Sequence, residues 1–329
     1  MTRERRLVVI LAGASVLLAI GLTVAFRANT VSVDGSRPKP RIAVIFKTVD
    51  YTLSFWQTVK DGVESASKDF GVNSEIIGPR SETEVDEQIR MLNHVIRTKP
   101  DAIVLAATDY DRLVPVAQRI RQLHIPLVTI DSFIAGDSAD TKIGTDNYDA
   151  GRKAGVALLN YVGNGGRVVI MSYVRGSSTA IDRESGVRDA LKGKVDIERT
   201  IFSEGEIETA YSQAMQLLKS DPTLKGMVAL NDPTTIGVAR ALSDSGRQKE
   251  VALIGFDNSL PVLSFVEAGI VRDTVVQRPF NMGYLGIKTA LELIRGRKVQ
   301  SFIDTGSQLI NLSNMLTPEN QKLLFPVAQ

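Results

Sequence analysis

After Pro40 the chain repeats one pattern of hydrophobic and polar positions. A short apolar run rich in β-branched residues is followed by a polar loop, and then by a stretch with hydrophobic residues at helical spacing. Runs such as Ile42–Phe46 and Ala102–Ala106 are too continuously apolar to leave one face in water. Buried strands that alternate with helices are typical of parallel sheets covered by helices on both faces.

The pattern predicts nine strands, which are Ile42–Phe46, Ser74–Ile77, Ala102–Ala106, Leu127–Ile130, Val168–Met171, Ile197–Phe202, Met227–Leu230, Val251–Gly255 and Arg272–Val276. Predicted helices include Phe55–Phe70, Val85–Arg97, Arg112–Leu123, Ala150–Tyr161, Ser178–Leu191, Thr209–Leu218, Thr234–Asp244 and Asn281–Ile294. Nine strands exceed what one compact open sheet normally holds, so we expect two α/β lobes. Residues 132–142 lack periodicity and separate four strand–helix units from the next five, which places the break between the lobes there.

The first 40 residues have a different character. Three arginines precede 20 uncharged residues, Leu7–Phe26, and a helix of that length is about 30 Å long, enough to span a bilayer core. Thr23–Ala25 also offers a cleavage site, so a retained anchor and a cleaved signal peptide both remain open. Basic residues before the apolar segment keep the N-terminus in the cytoplasm. We therefore expect residues 1–27 to be a signal peptide or membrane anchor, 28–40 a linker, and the folded part extracytoplasmic.

Composition narrows the chemistry of the folded part. A net charge of +2, without basic runs that alternate with aromatics, argues against a nucleic-acid partner. The absence of Cys excludes disulfides, thiolate catalysis, iron–sulfur clusters and Cys-ligated zinc. His94 and His124 have no second ligand at metal spacing, so we expect no metal site and no cofactor. What remains is binding by oxygen, amide and aromatic groups, or catalysis by carboxylates.

Polar residues follow nearly every predicted strand. In open α/β sheets ligands bind beyond the carboxyl ends of the strands, so these residues are expected to rim a cleft. Carboxylates, amides and guanidinium groups satisfy neighbouring hydroxyls, and aromatic rings can cover the C–H surface of a sugar. A sugar-binding site is one interpretation. A carboxylate-dependent glycosidase or isomerase is the alternative, because the separation of two carboxylates is not readable from sequence.

Individual candidates each have a structural alternative. Asp131 and Asp257 follow predicted strands, where Asp is also favoured as a turn or N-cap residue. Arg183 would by default be a solvated charge on a helix. Phe55 and Trp56 open a helix whose later apolar positions are core, so we expect one to pack in the core and the other to face the cleft.

A helix start separates two neighbouring candidates, Asn231 and Asp232. Pro233 follows them, and proline is favoured at the first position of a helix. We therefore expect Asp232 to cap the helix and Asn231 to contact a ligand.

Seven ordered segments together resemble the periplasmic sugar-binding proteins of the ribose, galactose and xylose type. They are Ser54–Gly62, Pro100–Ala106, Ile125–Asp131, Gly144–Gly151, Asp182–Gly186, Asn231–Asp232 and Ile254–Asp257. The resemblance extends from Arg41 to about Thr305. Lactose-repressor relatives share this core but begin with a helix-turn-helix, where this chain has its apolar segment.

The resemblance implies a type I periplasmic binding protein fold, with two Rossmann-like lobes joined by three crossover segments near Thr145, Gln277 and Thr305. Residues 41–145 and 278–305 would form the N-terminal lobe, and residues 146–277 and 306–329 the C-terminal lobe. It implies a monomeric, non-enzymatic protein that captures a monosaccharide by hinge closure for an ABC permease. A membrane-anchored co-receptor that signals to a histidine kinase or chemoreceptor is the alternative partner relationship.

The resemblance also implies a set of ligand-binding residues. They are Phe55 and Trp56 as stacking residues, Asp131 as a hydroxyl acceptor, Arg183 and Asn231 from the second lobe, and Asp257 and Gln277. Two positions depart from the ribose type. Ser132 stands where those proteins carry Arg, and Gly205 where they carry a further aromatic residue, which argues against ribose itself as the ligand.

Overall fold

The computed structural model describes residues 38–325, which form twelve strands and ten helices. The strands are β1 Arg41–Ile45, β2 Asn73–Ile77, β3 Ala102–Leu105, β4 Leu127–Ile130, β5 Thr141–Gly144, β6 Arg167–Ser172, β7 Asp196–Phe202, β8 Leu224–Ala229, β9 Ala252–Phe256, β10 Val271–Val276, β11 Phe302–Asp304 and β12 Gln308–Asn311. The helices are α1 Ser54–Phe70, α2 Val85–Thr98, α3 Val114–Gln122, α4 Asn147–Val162, α5 Ser178–Leu191, α6 Ile207–Ser220, α7 Asp232–Asp244, α8 Leu260–Glu267, α9 Pro279–Ile294 and α10 Pro318–Leu324.

The strands form two six-stranded sheets. The first has the order β11-β5-β4-β3-β1-β2, and all of its neighbouring strands are parallel. The second has the order β12-β10-β9-β8-β6-β7, and it is parallel except for the edge strand β12, which runs antiparallel to β10. The predicted fold class, two parallel-sheet α/β lobes, is confirmed.

Helices cover both faces of each sheet. Alternate residues of a strand point to opposite faces, so neighbouring residues of one strand pack against different helices. On β1, Ile42 and Val44 pack in the cluster that includes α1 and α9. Ala43 and Ile45 pack on the other face, against α2 and α3. The second sheet is covered in the same way, by α4 and α5 on one face and by α6, α7 and α8 on the other.

The chain passes between the two sheets three times. It leaves the first sheet after β5 and enters the second lobe with α4, which packs on α5. After β10 it returns with α9, which packs on α1, and it then adds β11 to the first sheet. It crosses once more to add β12 to the second sheet. We propose lobe boundaries at residues 145, 277 and 305.

Some predicted elements need correction. The predicted break at 132–142 is wrong, because residues 141–144 form β5 and pair with β4 inside the first sheet. This strand was not predicted because Lys142 and Gly144 interrupt its apolar pattern. The strands β11 and β12 and the helices α8 and α10 were also missed. β11 has only three residues, and β12 has polar residues at both ends, so neither strand is a continuous apolar run.

Among residues 38–325, no helix combines the length and the apolar character needed to cross a bilayer. The predicted signal peptide or anchor, residues 1–27, and most of the linker, residues 28–40, lie outside the described residues. Both therefore stay predictions.

Candidate functional site

The carboxyl ends of strands from both sheets border one cavity of about 360 Å³. Residues of both lobes line it. All seven residues predicted as ligand contacts are among them, namely Phe55, Trp56, Asp131, Arg183, Asn231, Asp257 and Gln277. The parallel topology explains this convergence, because the loops that follow neighbouring strands meet at the same edge of a sheet.

Asp131 and Asp257 occupy equivalent places in the two lobes, directly after β4 and β9. Both residues are buried and have left-handed backbones, with φ of 57° and 70°. Their N–H groups donate to the carbonyls of Ile143 and Val275, each at 2.9 Å, so each backbone stays tied to the adjacent strand. The alternative that Asp257 caps a helix is wrong, because Ser259 caps α8.

Lys47, at the end of β1, is a cavity residue that the sequence interpretation did not single out. It is 3% exposed, and its Nζ lies 3.1 Å from Asp131 Oδ2 and 3.4 Å from Glu82 Oε2. Burial alone lowers the pKa of Lys47, but the carboxylates of Asp131 and Glu82 outweigh burial and raise its pKa above the ordinary value. A lysine directly after the buried run Ile42–Phe46 was the available signal.

The two aromatic candidates share the wall beside this ion pair. Trp56 is 2% exposed, packs on Phe46 with ring centroids 5.2 Å apart, and donates from Nε1 to Glu82 Oε1 at 2.9 Å. Phe55 meets Trp56 edge to face, at 5.2 Å and 84°. The prediction that one ring packs and the other faces the cleft is too simple, because Trp56 belongs to the core and both rings line the cavity.

Arg183 is held rigidly on the other wall. It is 2% exposed, its Nε donates to Asn147 Oδ1 and its Nη1 donates to the carbonyl of Leu230, both at 2.7 Å. The guanidinium also lies over the ring of Phe256, 4.5 Å from the centroid. The alternative of a solvated helix charge is wrong. A guanidinium has five N–H groups, so these two bonds leave three of them unused, and Arg183 lines the cavity.

The helix α7 is capped by Asn231 and not, as predicted, by its neighbour Asp232. Asn231 is the N-cap, and its Oδ1 accepts from the N–H of Thr234 at 3.2 Å. Asp232 is the first helical residue and lines the cavity beside Asn231, and its Oδ2 accepts from the N–H of Ser259 at 3.2 Å. Capping uses the Oδ1 of Asn231, which leaves its Nδ2 as a donor. The expectation that Asp232 caps the helix was wrong because proline occupies the second helical position here, not the first.

The acidic groups of the second lobe repel one another. Burial raises the pKa of Asp232 to about 7, and the nearby charge of Asp257 adds to this. Burial also raises the pKa of Asp257, against the opposing effects of Arg183 and of a hydrogen bond from Gln277. The cavity therefore offers carboxyl groups that accept hydrogen bonds from hydroxyls and that gain from donors supplied by a ligand.

Gln277 joins the cavity to the crossover after β10. Its Nε2 donates to Asp257 Oδ1 at 2.7 Å, and its Oε1 accepts from Thr145 Oγ1 at 3.1 Å. Both ends of its amide are thus engaged within the protein, and these bonds use one of the two N–H groups of Nε2.

Ser132 and Gly205, the two positions that depart from the ribose type, differ in whether they line the cavity. Ser132 does not line the cavity; it is fully buried and its Oγ lies 3.2 Å from Ser178 Oγ in the opposite lobe. Gly205 lines the cavity mouth with φ of 78°, and a side chain there would meet open space. The mouth therefore lacks a ring at this position and carries exposed carboxylates instead, from Glu204, Glu206 and Glu208.

Fold and cavity together define a two-lobed α/β binding protein whose site lies between the lobes. A model of the family described as periplasmic binding protein domain matches residues 42–298, and the chain belongs to this family. The chain is 30% identical over 268 residues to the D-ribose/D-allose-binding protein of Pseudomonas aeruginosa, across 79% of this chain and 83% of that protein.

Solved structures of solute-binding proteins resemble the whole folded part. An ABC transporter solute-binding protein of Agrobacterium vitis with bound D-fucose is 35% identical, with a TM-score of 0.83 over 86% of this chain and 99% of that one. A carbohydrate transporter solute-binding protein of Agrobacterium radiobacter in complex with D-arabinose is 31% identical, with a TM-score of 0.83 over 88% of this chain and 100% of that one.

Proposed function

We propose that this protein captures a monosaccharide outside the cytoplasmic membrane and presents it to an ABC-type permease. The observation that carries the proposal is the convergence of buried Asp, Arg and Gln side chains and a half-buried Asn from both lobes on one cavity with an aromatic wall. The names of the relatives support a sugar as the ligand, since those proteins bind ribose or allose, fucose and arabinose.

The chemistry of the cavity suits hydroxyl groups. Asp131 and Asp257 accept hydrogen bonds from hydroxyl hydrogens, whereas Lys47, Arg183 and the Nδ2 of Asn231 donate to hydroxyl oxygens. Both kinds of partner are needed, because a desolvated hydroxyl that is left unpaired loses about 1–3 kcal/mol. The rings of Trp56 and Phe55 supply the apolar surface that the C–H groups of a sugar require.

Binding is expected to close the lobes. Lys47, Trp56 and Asp131 belong to the first lobe, whereas Arg183 and Asp257 belong to the second. A ligand reaches both sets only when the lobes are together, so it shifts the population towards the closed state by its differential affinity. Micromolar affinity would correspond to about 8 kcal/mol. Capture followed by release needs no bond to break, and we therefore propose binding without turnover.

A thermal-shift screen tests this function. The folded part is heated with and without D-ribose, D-allose, D-arabinose and D-fucose, each at millimolar concentration. We expect at least one sugar to raise the melting temperature, since ligand at 100 times its Kd stabilises by about 2.7 kcal/mol. No stabilisation by these or other monosaccharides, or formation of a new sugar product, would contradict the proposal.

Two substitutions locate the binding site. Arg183→Ala is expected to abolish the sugar-induced rise in melting temperature, and so is Asp257→Ala. Arg188→Ala is the matched control, because Arg188 lies on the same helix with an exposed guanidinium paired to Glu184. Wild-type affinity in both cavity variants would show that the ligand binds elsewhere.

A further inference from the structure

A chain of buried hydrogen bonds connects two cavity residues through the crossover segments. Gln277 Nε2 donates to Asp257 Oδ1 at 2.7 Å, and Thr145 Oγ1 donates to Gln277 Oε1 at 3.1 Å. Asn147 Nδ2 donates to the carbonyl of Thr145 at 3.0 Å, and Arg183 Nε donates to Asn147 Oδ1 at 2.7 Å. All five residues are buried. The chain therefore runs from Asp257 through Gln277, which also lines the cavity, and then through Thr145 and Asn147, which do not, to Arg183.

Close packing of α4 on α5 sets the position of Asn147. Asn147 is the first residue of α4, and Arg183 lies on α5. A side chain at Gly151 would clash with the carbonyl of Arg183, and one at Gly186 would clash with the carbonyl of Tyr148. These two glycines let the helices approach until the amide of Asn147 reaches the guanidinium.

We propose that Asn147 is a positioning residue for ligand binding. It does not line the cavity, and it acts by holding the guanidinium of Arg183, which does line the cavity. This inference rests on the proposed function, because it assumes that a ligand contacts Arg183.

The physical argument is the freedom of the arginine side chain. A free arginine samples many rotamers, and fixing them on binding costs entropy. Hydrogen bonds from Nε to Asn147 and from Nη1 to the carbonyl of Leu230 fix the plane of the guanidinium in advance. Without the acceptor at Asn147, only the Nη1 bond and the contact with the Phe256 ring hold the guanidinium, and a buried Nε–H is left unpaired.

Two substitutions separate the two contacts of Asn147. Asn147→Ala removes both contacts. Asn147→Asp keeps an acceptor for Arg183 Nε but loses the donor to the carbonyl of Thr145. Asn160→Ala is the matched control, because Asn160 is exposed at the other end of the same helix.

The first measurement needs no ligand. In a ¹⁵N spectrum of the full folded protein, the Arg183 Nε–H signal is assigned by its loss in Arg183→Lys. We expect slow exchange with water in the wild type, in Asn147→Asp and in Asn160→Ala, and fast exchange or loss of the signal in Asn147→Ala. An equally protected signal in Asn147→Ala would overturn the positioning role.

The second measurement is calorimetric titration with D-ribose, D-allose, D-arabinose and D-fucose. For the sugar that binds the wild type best, we expect Asn147→Ala to raise Kd at least about tenfold and Asn147→Asp less than about threefold. In an Arg183→Ala background, Asn147→Ala should add nothing. Binding by Asn147→Ala within twofold of the wild type, or Asn147→Asp as weak as Asn147→Ala, would overturn the inference. A wild type that binds none of these sugars counts against the proposed function, and the ligand-free spectrum still decides the role of Asn147.

Discussion

Closure of the lobes should depend on Ser178, which contacts the opposite lobe without lining the cavity. Ser178 is the first residue of α5, and its Oγ accepts from the N–H of Phe133 at 2.8 Å and lies 3.2 Å from Ser132 Oγ. Nearby, the N–H of Tyr110 donates to the carbonyl of Gly176 at 2.8 Å. These contacts join the lobes directly, so they exist only while the lobes are together.

The expected cost of Ser178→Ala follows from one lost acceptor. In the closed state the N–H of Phe133 loses its partner, which costs about 1 kcal/mol, whereas in the open state the same group is hydrated. The closed state is therefore weakened relative to the open state by that amount. Because ligand affinity depends on closure, the Kd for a sugar should rise about fivefold.

Calorimetry gives this Kd, and stopped-flow displacement gives the dissociation rate, which should rise by a similar factor. Ser185→Ala is the matched control, because Ser185 lies on the same helix and its Oγ donates to the carbonyl of Ile181 within that helix. The order of preference among sugars should not change, because no cavity group is altered. Equal Kd values for Ser178→Ala and Ser185→Ala would refute the assignment of this contact to closure.

Three further perturbations test other parts of the structure. Lys47→Met leaves the buried carboxylate of Asp131 unpaired, so it should lower the free energy of unfolding, measured in urea, by about 3–5 kcal/mol. Lys60→Met removes one partner of a surface ion pair and should lower it by less than about 1 kcal/mol. Similar losses in the two variants would contradict a buried pair between Lys47 and Asp131. The pKa of Asp232 is raised in the folded state to about 7, so this residue binds its proton more tightly when folded, and its effect on stability worsens as pH rises from about 4 to about 7. Asp232→Asn should therefore stabilise the protein at pH 8, by at most about 4 kcal/mol, and change little near pH 4; an equal effect at both pH values would be inconsistent with this sign. Trp56 is the single tryptophan and lines the cavity, so the protein's tryptophan fluorescence should change when a sugar binds. Saturable sugar binding without any change in this fluorescence would place the ligand away from the Trp56 ring.

The fold could be predicted from sequence because the strands with the clearest apolar pattern are also the most buried. β1, β3 and β4 are short apolar runs with every inner position buried, and the pattern located each of them to within a residue or two. Strands without a continuous apolar run gave no such signal. β5 carries Lys142 although it lies inside the sheet, between β4 and β11, and the edge strand β11 has only three residues.

The cavity residues were readable for a related reason, since polar residues after parallel strands collect at one edge. Lys47 was not predicted as a cavity residue because a lysine at a strand end is usually solvated. Its burial depends on Asp131 and Glu82, which are distant in sequence. Asn147 was missed for the same reason, because its contact with Arg183 depends on how closely two helices pack.

The reversed roles of Asn231 and Asp232 show the limit of local rules. A proline near a helix start fixes the boundary only to within one residue, and here the side chain of Asn231, not that of Asp232, reaches the free N–H of Thr234. Which oxygen caps the helix decides which group is left for the cavity.

A crystal structure with the tightest-binding sugar is the most direct test of the central claim. We predict difference density for one sugar ring between the lobes, within hydrogen-bonding distance of Asp131, Arg183 and Asp257 and against the ring of Trp56 or Phe55. Density at another surface, or a saturated protein whose cavity holds only water, would contradict the account.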